Sequence, residues 1–533
     1  MLIRRLRRFV SDSLENEEWL NDRKLDSQLN LLNPQRHIYA ENYDLKKLED
    51  YSLTSSFTHP PSLYHTLDKI VRTEGIYPSD QFPDEARICP KITPELYNRF
   101  TNYTRPSNDN QLYSITAKEK CKYMTGSSSL TETLQQIYFA ISNFKSPDIT
   151  GLGKNYDNLS MNYMSAYRKP TTFILRKFPG GIYAIDGDKG PVDDTAQILL
   201  MGGIVLEGLL TTEPAVFSRI CDLTKEISPL DKEVLEASSR SFRFRKIGNL
   251  VIRSQIDCEA KDEEGKPFVF EIKTRATAPI RYDLNNYMKY LDYKITKRNG
   301  IHSSYEREYF DLVRSILLKY FFQIKIGKMD GAFIAYHNTV EIFAYEYIKI
   351  EEIEKRLFGC AEISEQVLKI CLAMFQDILD DVTEKYPDDE LIKVGIFANY
   401  KSDELLITAE AHEKNFEYPN DPEIRKLIED EIDFYNAFFP GKTAYAMSRR
   451  IFPYINGMMQ KEPIFLEKGD KFTFKWIKYN KGTMKFQDYM YFLHHAYKIE
   501  SATYHKEFIG TWKKYNDFHV YRKPTYRSLV SNQ

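Results

Sequence analysis

The chain has 533 residues, 42% of them hydrophobic, which is enough for about two to four domains with well-formed cores. Lys+Arg (74) and Asp+Glu (76) nearly balance, so the whole chain is not a strongly basic nucleic-acid binder and any polyanion site must be local. No apolar run reaches the roughly 18 residues that a transmembrane helix requires. The six cysteines are scattered without a C-x-x-C pair, which argues against a zinc site and predicts free thiols in a reducing compartment.

Residues 1–110 predict a basic start followed by an irregular arm wrapped on the body of the protein. The opening MLIRRLRRFV alternates apolar residues with four arginines and contains no acid, as a mitochondrial targeting segment does. A basic surface helix is an equally good interpretation, because acids follow from Asp12 onward. The rest of this region is polar and rich in Pro, Asn and Asp, without sustained periodicity.

Residues 111–350 contain the elements that predict the core. A helix is expected within residues 125–144, with Ser128 or Ser129 as its N-cap. Two strands joined at Pro179-Gly180-Gly181 follow, and then a helix that Asp194 can cap and that carries Glu207.

Three strand-like runs come next: SFRFRKIG, NLVIRSQIDC and PFVFEIKTR. One long helix follows them, with Ser303 and Glu306 as a capping box and Gly327 at its end. The runs DGAFIAYHN and VEIFAYEYI then predict two paired strands. This order of helix, three strands, helix and strand predicts an α/β fold (α+β mixed), in which a mixed sheet is flanked by helices.

The C-terminal part divides by composition. Residues 351–460 predict a mostly helical extension, with helices at residues 363–382 and 422–439 and two strands, LIKVGIFANY and ELLITAEA. Residues 461–533 form a basic aromatic segment, with 14 Lys+Arg against 7 Asp+Glu. Within it, five lysines alternate with five aromatic residues: Lys471, Lys475, Lys478, Lys481 and Lys485 with Phe472, Phe474, Trp476, Tyr479 and Phe486. This pattern suits a surface for single-stranded nucleic acid, but the regular alternation slightly favours an ordinary half-buried strand.

The run PFVFEIKTR carries the residues that predict chemistry. Side chains alternate along a strand, so Glu271 and Lys273 lie on one face. Antiparallel pairing with the preceding strand can bring Asp257 beside Glu271, because opposed Cβ atoms lie roughly 5 Å apart. Two adjacent carboxylates repel each other unless a cation lies between them, which favours Mg²⁺ or Mn²⁺. Lys273 could then orient or deprotonate an attacking water. The alternative is a solvated strand face without chemistry.

This arrangement resembles the PD-(D/E)XK nuclease superfamily, in which Asp and Glu hold the metal and Lys serves the water. The resemblance implies a restriction-endonuclease-like core. It also implies that Glu207, on the preceding helix, completes the metal site, although a Glu at the solvent edge of that helix is the equal alternative. Gln323 is similar to a glutamine that some members place near the site. Arg275 and Arg281 follow the strand and could grip phosphates, or they could be ordinary surface arginines.

Four blocks extend the resemblance to a fungal family of mitochondrial RNA 5′-end processing and degradation proteins: TGSSSLTETLQQIYFAISNFKSPDITGL, RKPTTFILRKFPGGIYAIDGDKG, RSQIDC and FEIKTRATAPIRYD. The resemblance implies a 5′-to-3′ exoribonuclease of the mitochondrial matrix, acting on single-stranded mitochondrial RNA. It further implies cooperation with the mitochondrial RNA polymerase and peripheral association with the inner membrane. Two alternatives stay open: a non-catalytic RNA-binding or polymerase accessory protein on a nuclease fold, and a mitochondrial DNA nuclease.

Overall fold

The computed structural model describes residues 35–36, 48–53, 59–73, 75–101, 103–157, 159–188, 194–239, 241–399, 404–413, 444–484, 488–489, 492–493 and 496. Its strands are β1 (Gln35–Arg36), β2 (Asp50–Leu53), β3 (Ile76–Pro78), β4 (Tyr123–Gly126), β5 (Thr171–Phe178), β6 (Ile182–Gly187), β7 (Phe242–Ile247), β8 (Leu250–Gln255), β9 (Cys258–Lys261), β10 (Pro267–Ala276), β11 (Gly331–His337), β12 (Ile342–Lys349), β13 (Leu391–Asn399), β14 (Glu404–His412), β15 (Tyr445–Ile455), β16 (Met458–Met459) and β17 (Phe472–Thr483). Its α-helices are α1 (Asp84–Arg87), α2 (Pro94–Phe100), α3 (Asn110–Lys118), α4 (Ser127–Ile141), α5 (Asp194–Thr211), α6 (Pro214–Cys221), α7 (Pro229–Ser239), α8 (Ala278–Tyr282), α9 (Tyr305–Arg314), α10 (Leu317–Gly327), α11 (Ile350–Phe358) and α12 (Ala361–Lys385).

The described strands form two sheets. The larger has the order β1-β17-β15-β14-β13-β5-β6-β4-β8-β7-β2, with β16 paired to β15. It is mixed, since β4 runs parallel to both β6 and β8 while the other pairs are antiparallel. The smaller has the order β3-β12-β11-β10-β9, and β10 and β11 are its parallel pair. Mixed sheets flanked by helices confirm the α/β prediction.

Two hydrophobic cores hold these sheets together. The main core lies where α4, α10 and α12 cover the large sheet, and it includes the fully buried Leu134, Phe321 and Phe375. The second core lies where α5 packs on the small sheet, and it includes Leu206 and Phe270. Fully burying a Leu or Phe side chain is worth about 1.5–3 kcal/mol, so each core fixes its sheet to its helices strongly.

The chain crosses from the large sheet to the small one between β8 and β9. The prediction of three strands in succession is therefore wrong in one respect: β7 and β8 pair in the large sheet, whereas β9 and β10 pair in the small sheet. The strand predicted to end at Asp257 ends at Gln255. At the crossing, Ile256 is buried in the main core and donates its N–H to the Ser241 carbonyl at 2.8 Å. This is the last backbone hydrogen bond between the chain segments of β7 and β8 before the chain enters the small sheet.

The predicted helix starts also need correction. The first helix begins at Ser127 after Gly126, and no side chain caps it, so neither Ser128 nor Ser129 is its N-cap. The predicted long helix is two helices, α9 and α10, because the backbone of Ser315 leaves the helical region (φ −121°, ψ −94°).

The predicted capping box of Ser303 and Glu306 is wrong as well. The N-cap of α9 is Ser304, whose hydroxyl accepts from the N–H of Arg307 at 3.0 Å. Glu306 instead accepts from the N–H groups of Gly153 and Gly300, at 2.6 and 2.7 Å. These bonds attach the start of α9 to two loops.

Several local predictions are confirmed. Strands β5 and β6 pair through the turn at Pro179-Gly180-Gly181, strands β11 and β12 pair as expected, and α12, β13 and β14 occupy their predicted places. All six cysteines are free. The helix predicted at residues 422–439 and the arginine-rich start lie outside the described residues, as does the side chain of Asp194.

The flanking segments contribute to the sheets. Strands β2 and β3, from the predicted arm, pair with β7 and β12, and strands β13 to β15 extend the large sheet from the region predicted as mostly helical. In β17, Phe472, Phe474 and Trp476 are buried while Lys475 is exposed. The interpretation of this stretch as a half-buried strand is therefore confirmed; Lys485 and Phe486 lie outside the described part. No helix in the described ranges is both long and apolar enough to cross a membrane.

Candidate active site

The hairpin of β9 and β10 brings Asp257 and Glu271 together. Its register pairs Phe270 with Cys258, and one further step places Asp257 opposite Glu271. Both carboxyl side chains are buried, with 8% and 5% of their surfaces exposed. Asp257 Oδ2 accepts a hydrogen bond from the backbone N–H of Ile272 at 3.0 Å. The aspartate is therefore fixed to the neighbouring strand at the position that the sequence predicted.

Lys273 lies between the two carboxylates. Its Nζ forms a short ion pair with Glu271 Oε1 and lies 3.8 Å from Asp257 Oδ2. Burial alone lowers the pKa of Lys273, but the charges of Glu271 and Asp257 outweigh that effect, and its pKa is raised. The ammonium group thus supplies the positive charge that two buried carboxylates require.

Glu207 adds a third carboxyl group to the electrostatics of the site. It is half-buried on α5. This helix packs closely on β10 just after Lys273, because a Cβ atom on Gly203 of α5 would lie only 3.7 Å from Thr274 Oγ1. Burial raises the pKa of Glu207 to about 7, with Lys273 lowering it and Glu271 raising it. Burial, Glu271 and then Glu207 raise the pKa of Asp257 well above its usual range. Three carboxyl groups therefore act on one another here.

The donor set suits a hard divalent cation. Mg²⁺ is commonly held by one or two carboxylates, with water and substrate phosphates as its other ligands, and Asp257 and Glu271 supply such a pair. In the described ranges, no group of three or more His, Cys, Asp or Glu residues is close enough together to hold a metal. Glu207 as a third ligand therefore stays a prediction, while the opposed pair fits the ion.

Arg275 and Arg281 lie close to acids of α9. Arg275 is buried, with its Nε 3.4 Å from Glu308 Oε2. Arg281 contacts Glu308 Oε2 at 2.5 Å and Asp311 Oδ2 at 3.3 Å. The carboxylates therefore hold Arg281 by hydrogen bonds, whereas the buried Nε and Nη2 of Arg275 have no hydrogen-bond partner among the described residues. The predicted grip on phosphates stays a prediction for both arginines. Sequence reasoning missed Glu308 and Asp311, whose signal is two acids three residues apart on one helix face.

The structure also adds Tyr320, which sequence reasoning missed. Its ring centre lies 5.7 Å from Lys273 Nζ, a distance at which a cation and an aromatic face attract each other. Gln323 is half-buried three residues further along α10, on the same helix face. The predicted glutamine thus lies on the side of α10 that carries the ring over Lys273. Because residues three apart lie on one face of a helix, the prediction of Gln323 near the site could also have indicated Tyr320.

The family comparison covers just over half of the chain. The sequence pattern of the family described as "Mitochondrial protein Pet127" matches residues 103–380. This chain belongs to the Pet127 family. The match includes Glu207, Asp257, Glu271 and Lys273, and it stops before strands β13 to β17, which complete the large sheet.

Two Pet127 relatives show how far the likeness extends. The "mRNA degradation protein pet127, mitochondrial" of Schizosaccharomyces pombe is 32% identical over 302 residues, 55% of this chain and 55% of that protein. The "Putative mitochondrial translation system component PET127" of Saccharomyces cerevisiae is 34% identical over 258 residues, 47% of this chain and 30% of that protein. The aligned part therefore spans about half of the first relative and less than a third of the second.

Among solved structures, the chain is weakly similar to Rai1 of Scheffersomyces stipitis with (3′-NADP)+ and calcium, at TM-score 0.32 and 12% identity over 70% of this chain and 94% of that chain. Its similarity to Dxo1 of K. lactis with manganese is as weak, at TM-score 0.29 and 12% identity over 72% of this chain and 100% of that chain. Likenesses this weak do not bear on the chemistry of the site.

Proposed function

We propose that this member of the Pet127 family is a metal-dependent ribonuclease that degrades single-stranded mitochondrial RNA from its 5′ end. The observation that carries the proposal is the buried set of Asp257, Glu271 and Lys273, two opposed carboxylates with a lysine between them. RNA as the substrate is supported by the name of the fission yeast relative, an mRNA degradation protein. The 5′-to-3′ direction comes from the family resemblance alone.

Each residue has a distinct role in this proposal. Asp257 and Glu271 would hold Mg²⁺ or Mn²⁺, and the hydrogen bond from Ile272 keeps Asp257 in position. A bound ion supplies Lewis acidity toward the phosphate and lowers the pKa of water. Lys273 would orient the attacking water and balance the charge that develops on the phosphate, and because its raised pKa keeps it protonated, it is not suited to deprotonate the water. Glu207, on α5, would raise the pKa of Asp257 through its negative charge.

The location and partners belong to the same proposal. Both relatives carry mitochondrial names, which supports a mitochondrial location for this chain. Residence in the matrix, peripheral contact with the inner membrane and binding to the mitochondrial RNA polymerase are proposals that come from the family resemblance.

The test uses the full chain on one sequence with a radiolabelled phosphate two nucleotides from its 5′ end, made as RNA with a 5′-monophosphate, as RNA with a 5′-hydroxyl, and as DNA. Each substrate is incubated with Mg²⁺, Mn²⁺ or EDTA. We expect metal-dependent release of labelled nucleotides from the RNA. Glu271→Gln should lower the rate about 100-fold or more, because it removes one metal-holding charge.

The matched control is Glu259→Gln, which neutralises a carboxylate two residues from Asp257 and outside the site; Glu259 Oε2 lies 3.6 Å from His59 Nδ1. It should keep the wild-type rate. Cleavage by Glu271→Gln at the wild-type rate would sink the proposal. RNA binding by the wild type without cleavage in either metal would favour the accessory-protein alternative, and faster cleavage of DNA would favour the DNA nuclease.

A further inference from the structure

A basic, tyrosine-rich stretch follows strand β10 and helix α8. This stretch, residues 284–300, is called the 284–300 segment here. It contains four basic residues, Lys289, Lys294, Lys297 and Arg298, against one acid, Asp292. All four basic side chains are exposed, and one of them, Lys294, forms a short ion pair with Glu341. In a chain of nearly balanced charge, this is a local concentration of positive charge of the kind that attracts polyanions.

The tyrosines of the segment are held by packing on one side. Tyr287, Tyr290 and Tyr293 are all half-buried. Asp283 fixes the turn below them, since it accepts from the Asn286 amide at 2.8 Å and from the Tyr290 hydroxyl at 2.7 Å. Tyr287 and Tyr290 pack against a small apolar cluster: Ala276, Ile280, Leu284, Ile198 and Leu199. Rings held in this way keep part of their surface available for stacking at little cost in conformational entropy.

The same cluster attaches the segment to the elements that carry the candidate active site. Ala276 ends strand β10 three residues after Lys273. Leu199 and Glu207 lie eight residues apart on α5, which corresponds to about 12 Å along a helix. The segment therefore packs against the end of β10 and against α5, the two elements that carry Glu271 and Glu207, and it does so on the face of β10 opposite to Glu271 and Lys273.

The lysine-rich strand β17 lacks this combination. Three of its four aromatic residues, Phe472, Phe474 and Trp476, are buried in the main core and offer no surface to a base. The fourth, Tyr479, is half-buried, and the lysines near it, Lys478 and Lys481, already pair with Asp377 and Glu404. In the 284–300 segment, by contrast, exposed charge and half-exposed rings occur together.

We propose that the 284–300 segment receives single-stranded nucleic acid at the end of strand β10, the strand that carries Glu271, with its basic residues on phosphates and its tyrosines under bases. Stacking needs unpaired bases, because a duplex hides their faces, so single strands should bind better than duplexes. This inference rests on the proposed function and adds to it the surface that holds the substrate.

The experiment measures the binding of a fluorescent single-stranded RNA and of its duplex to the full-length chain. All proteins carry Glu271→Gln, so that the RNA stays intact. Lys289→Glu with Arg298→Glu should weaken single-strand binding about tenfold. It should also reduce the slope of log affinity against log salt by about 1.4, at roughly 0.7 per lost phosphate contact. Tyr287→Leu, which keeps the apolar packing, should weaken binding by a similar factor through lost stacking.

The matched control is Lys471→Glu with Lys475→Glu, an equal charge change at two exposed lysines of the large sheet. It should change affinity less than twofold. The inference would be overturned if both double variants lost the same affinity, or if Lys289→Glu with Arg298→Glu bound single-stranded RNA as before. Equal affinity of the parent protein for single-stranded and duplex RNA would also overturn it. The wild type and Lys289→Glu with Arg298→Glu are also mixed with vesicles of anionic phospholipid. If the double variant lost vesicle binding but kept RNA binding, the segment would be a lipid-binding surface and the inference would be wrong. Failure of the proposed function appears separately, as a wild-type chain that binds RNA but does not cleave it.

Discussion

Asp257 accepts a hydrogen bond from the backbone N–H of Ile272, at 3.0 Å, on the strand that carries Glu271 and Lys273. Asp257 follows Ile256 in the two-residue connection by which the chain passes from the large sheet to the small one. The bond therefore fixes the crossing and the candidate metal-holding carboxylate at the same time. An asparagine at this position can still accept it through its amide oxygen.

Asp257→Asn should therefore separate folding from turnover. We expect the melting temperature to stay at or slightly above the wild-type value, because a buried charge is removed while its hydrogen bond is kept. RNA turnover in Mn²⁺ should fall about 100-fold or more, with RNA binding retained. Asp262→Asn is the control, since Asp262 lies in the turn of the same hairpin and accepts from the N–H of Lys266. Normal turnover by Asp257→Asn would contradict its role.

Lys273→Met should make the stability of the protein depend on metal. Without a divalent ion, Glu271 and Asp257 lose their positive partner, and we expect a loss of about 3 kcal/mol. Added Mn²⁺ should raise the melting temperature of this variant more than that of the wild type, because no ammonium group competes for the carboxylates. Lys266→Met, at an exposed position of the hairpin turn, should behave as the wild type. An equal metal response in both proteins would argue against a cation site here.

Arg281→Ala should act mainly on stability. Its guanidinium lies between Glu308 and Asp311, whose side chains are 2% and 1% exposed. Removing it leaves two buried carboxylates without this partner, at a cost of about 3–5 kcal/mol measured by urea denaturation. Arg72→Ala, which breaks an exposed pair with Asp68, should cost no more than about 1 kcal/mol. Full stability with lost RNA binding would instead support the predicted grip on phosphates.

Lys145 should make stability rise at alkaline pH. Burial lowers the pKa of this lysine to about 8, although its Nζ donates to the Leu357 carbonyl at 2.9 Å. Between about pH 8 and the ordinary lysine pKa, the unfolded chain binds more protons than the folded one, so stability increases with pH. Lys145→Met removes this titration while keeping a long apolar stem.

The measurement is the urea midpoint of the wild type and of Lys145→Met from pH 7 to 10.5. The variant should be more stable relative to the wild type at pH 7, and the difference should shrink as pH rises. The expected change is about 3 kcal/mol at most, because a tenfold change in a protonation equilibrium corresponds to about 1.4 kcal/mol. A difference that is constant with pH would show that Lys145 titrates normally.

Local patterns predicted the parts of the fold that depend on neighbouring residues. The turn of β5 and β6 needs a backbone with positive φ, and Gly180 has φ 78° there. The period of two in β10 put Glu271 and Lys273 on one face, and the structure agrees. Such features are set within a few residues, so a single sequence carries enough information to predict them.

Distant pairing could not be predicted in the same way. Strand β10 lies in a different sheet from β8, and the sequence around Asp257 contains no local pattern that predicts this change of sheet. The acids that engage Arg275 and Arg281 are more than 25 residues away along the chain. The charged set was found because its members lie on one hairpin, whereas its surroundings depend on how helices pack across the sheets.

The pairing of β5 with β13 also has a consequence for synthesis. Leu391 pairs with Arg176, so the ribosome must make more than 200 further residues before this edge of β5 finds its partner. At translation rates of about 5–20 residues per second, the edge stays open for on the order of 10 to 40 s. Exposed edges recruit foreign strands. A chain that ends before β13 would therefore keep this edge open, and we expect it to aggregate more readily than the full chain.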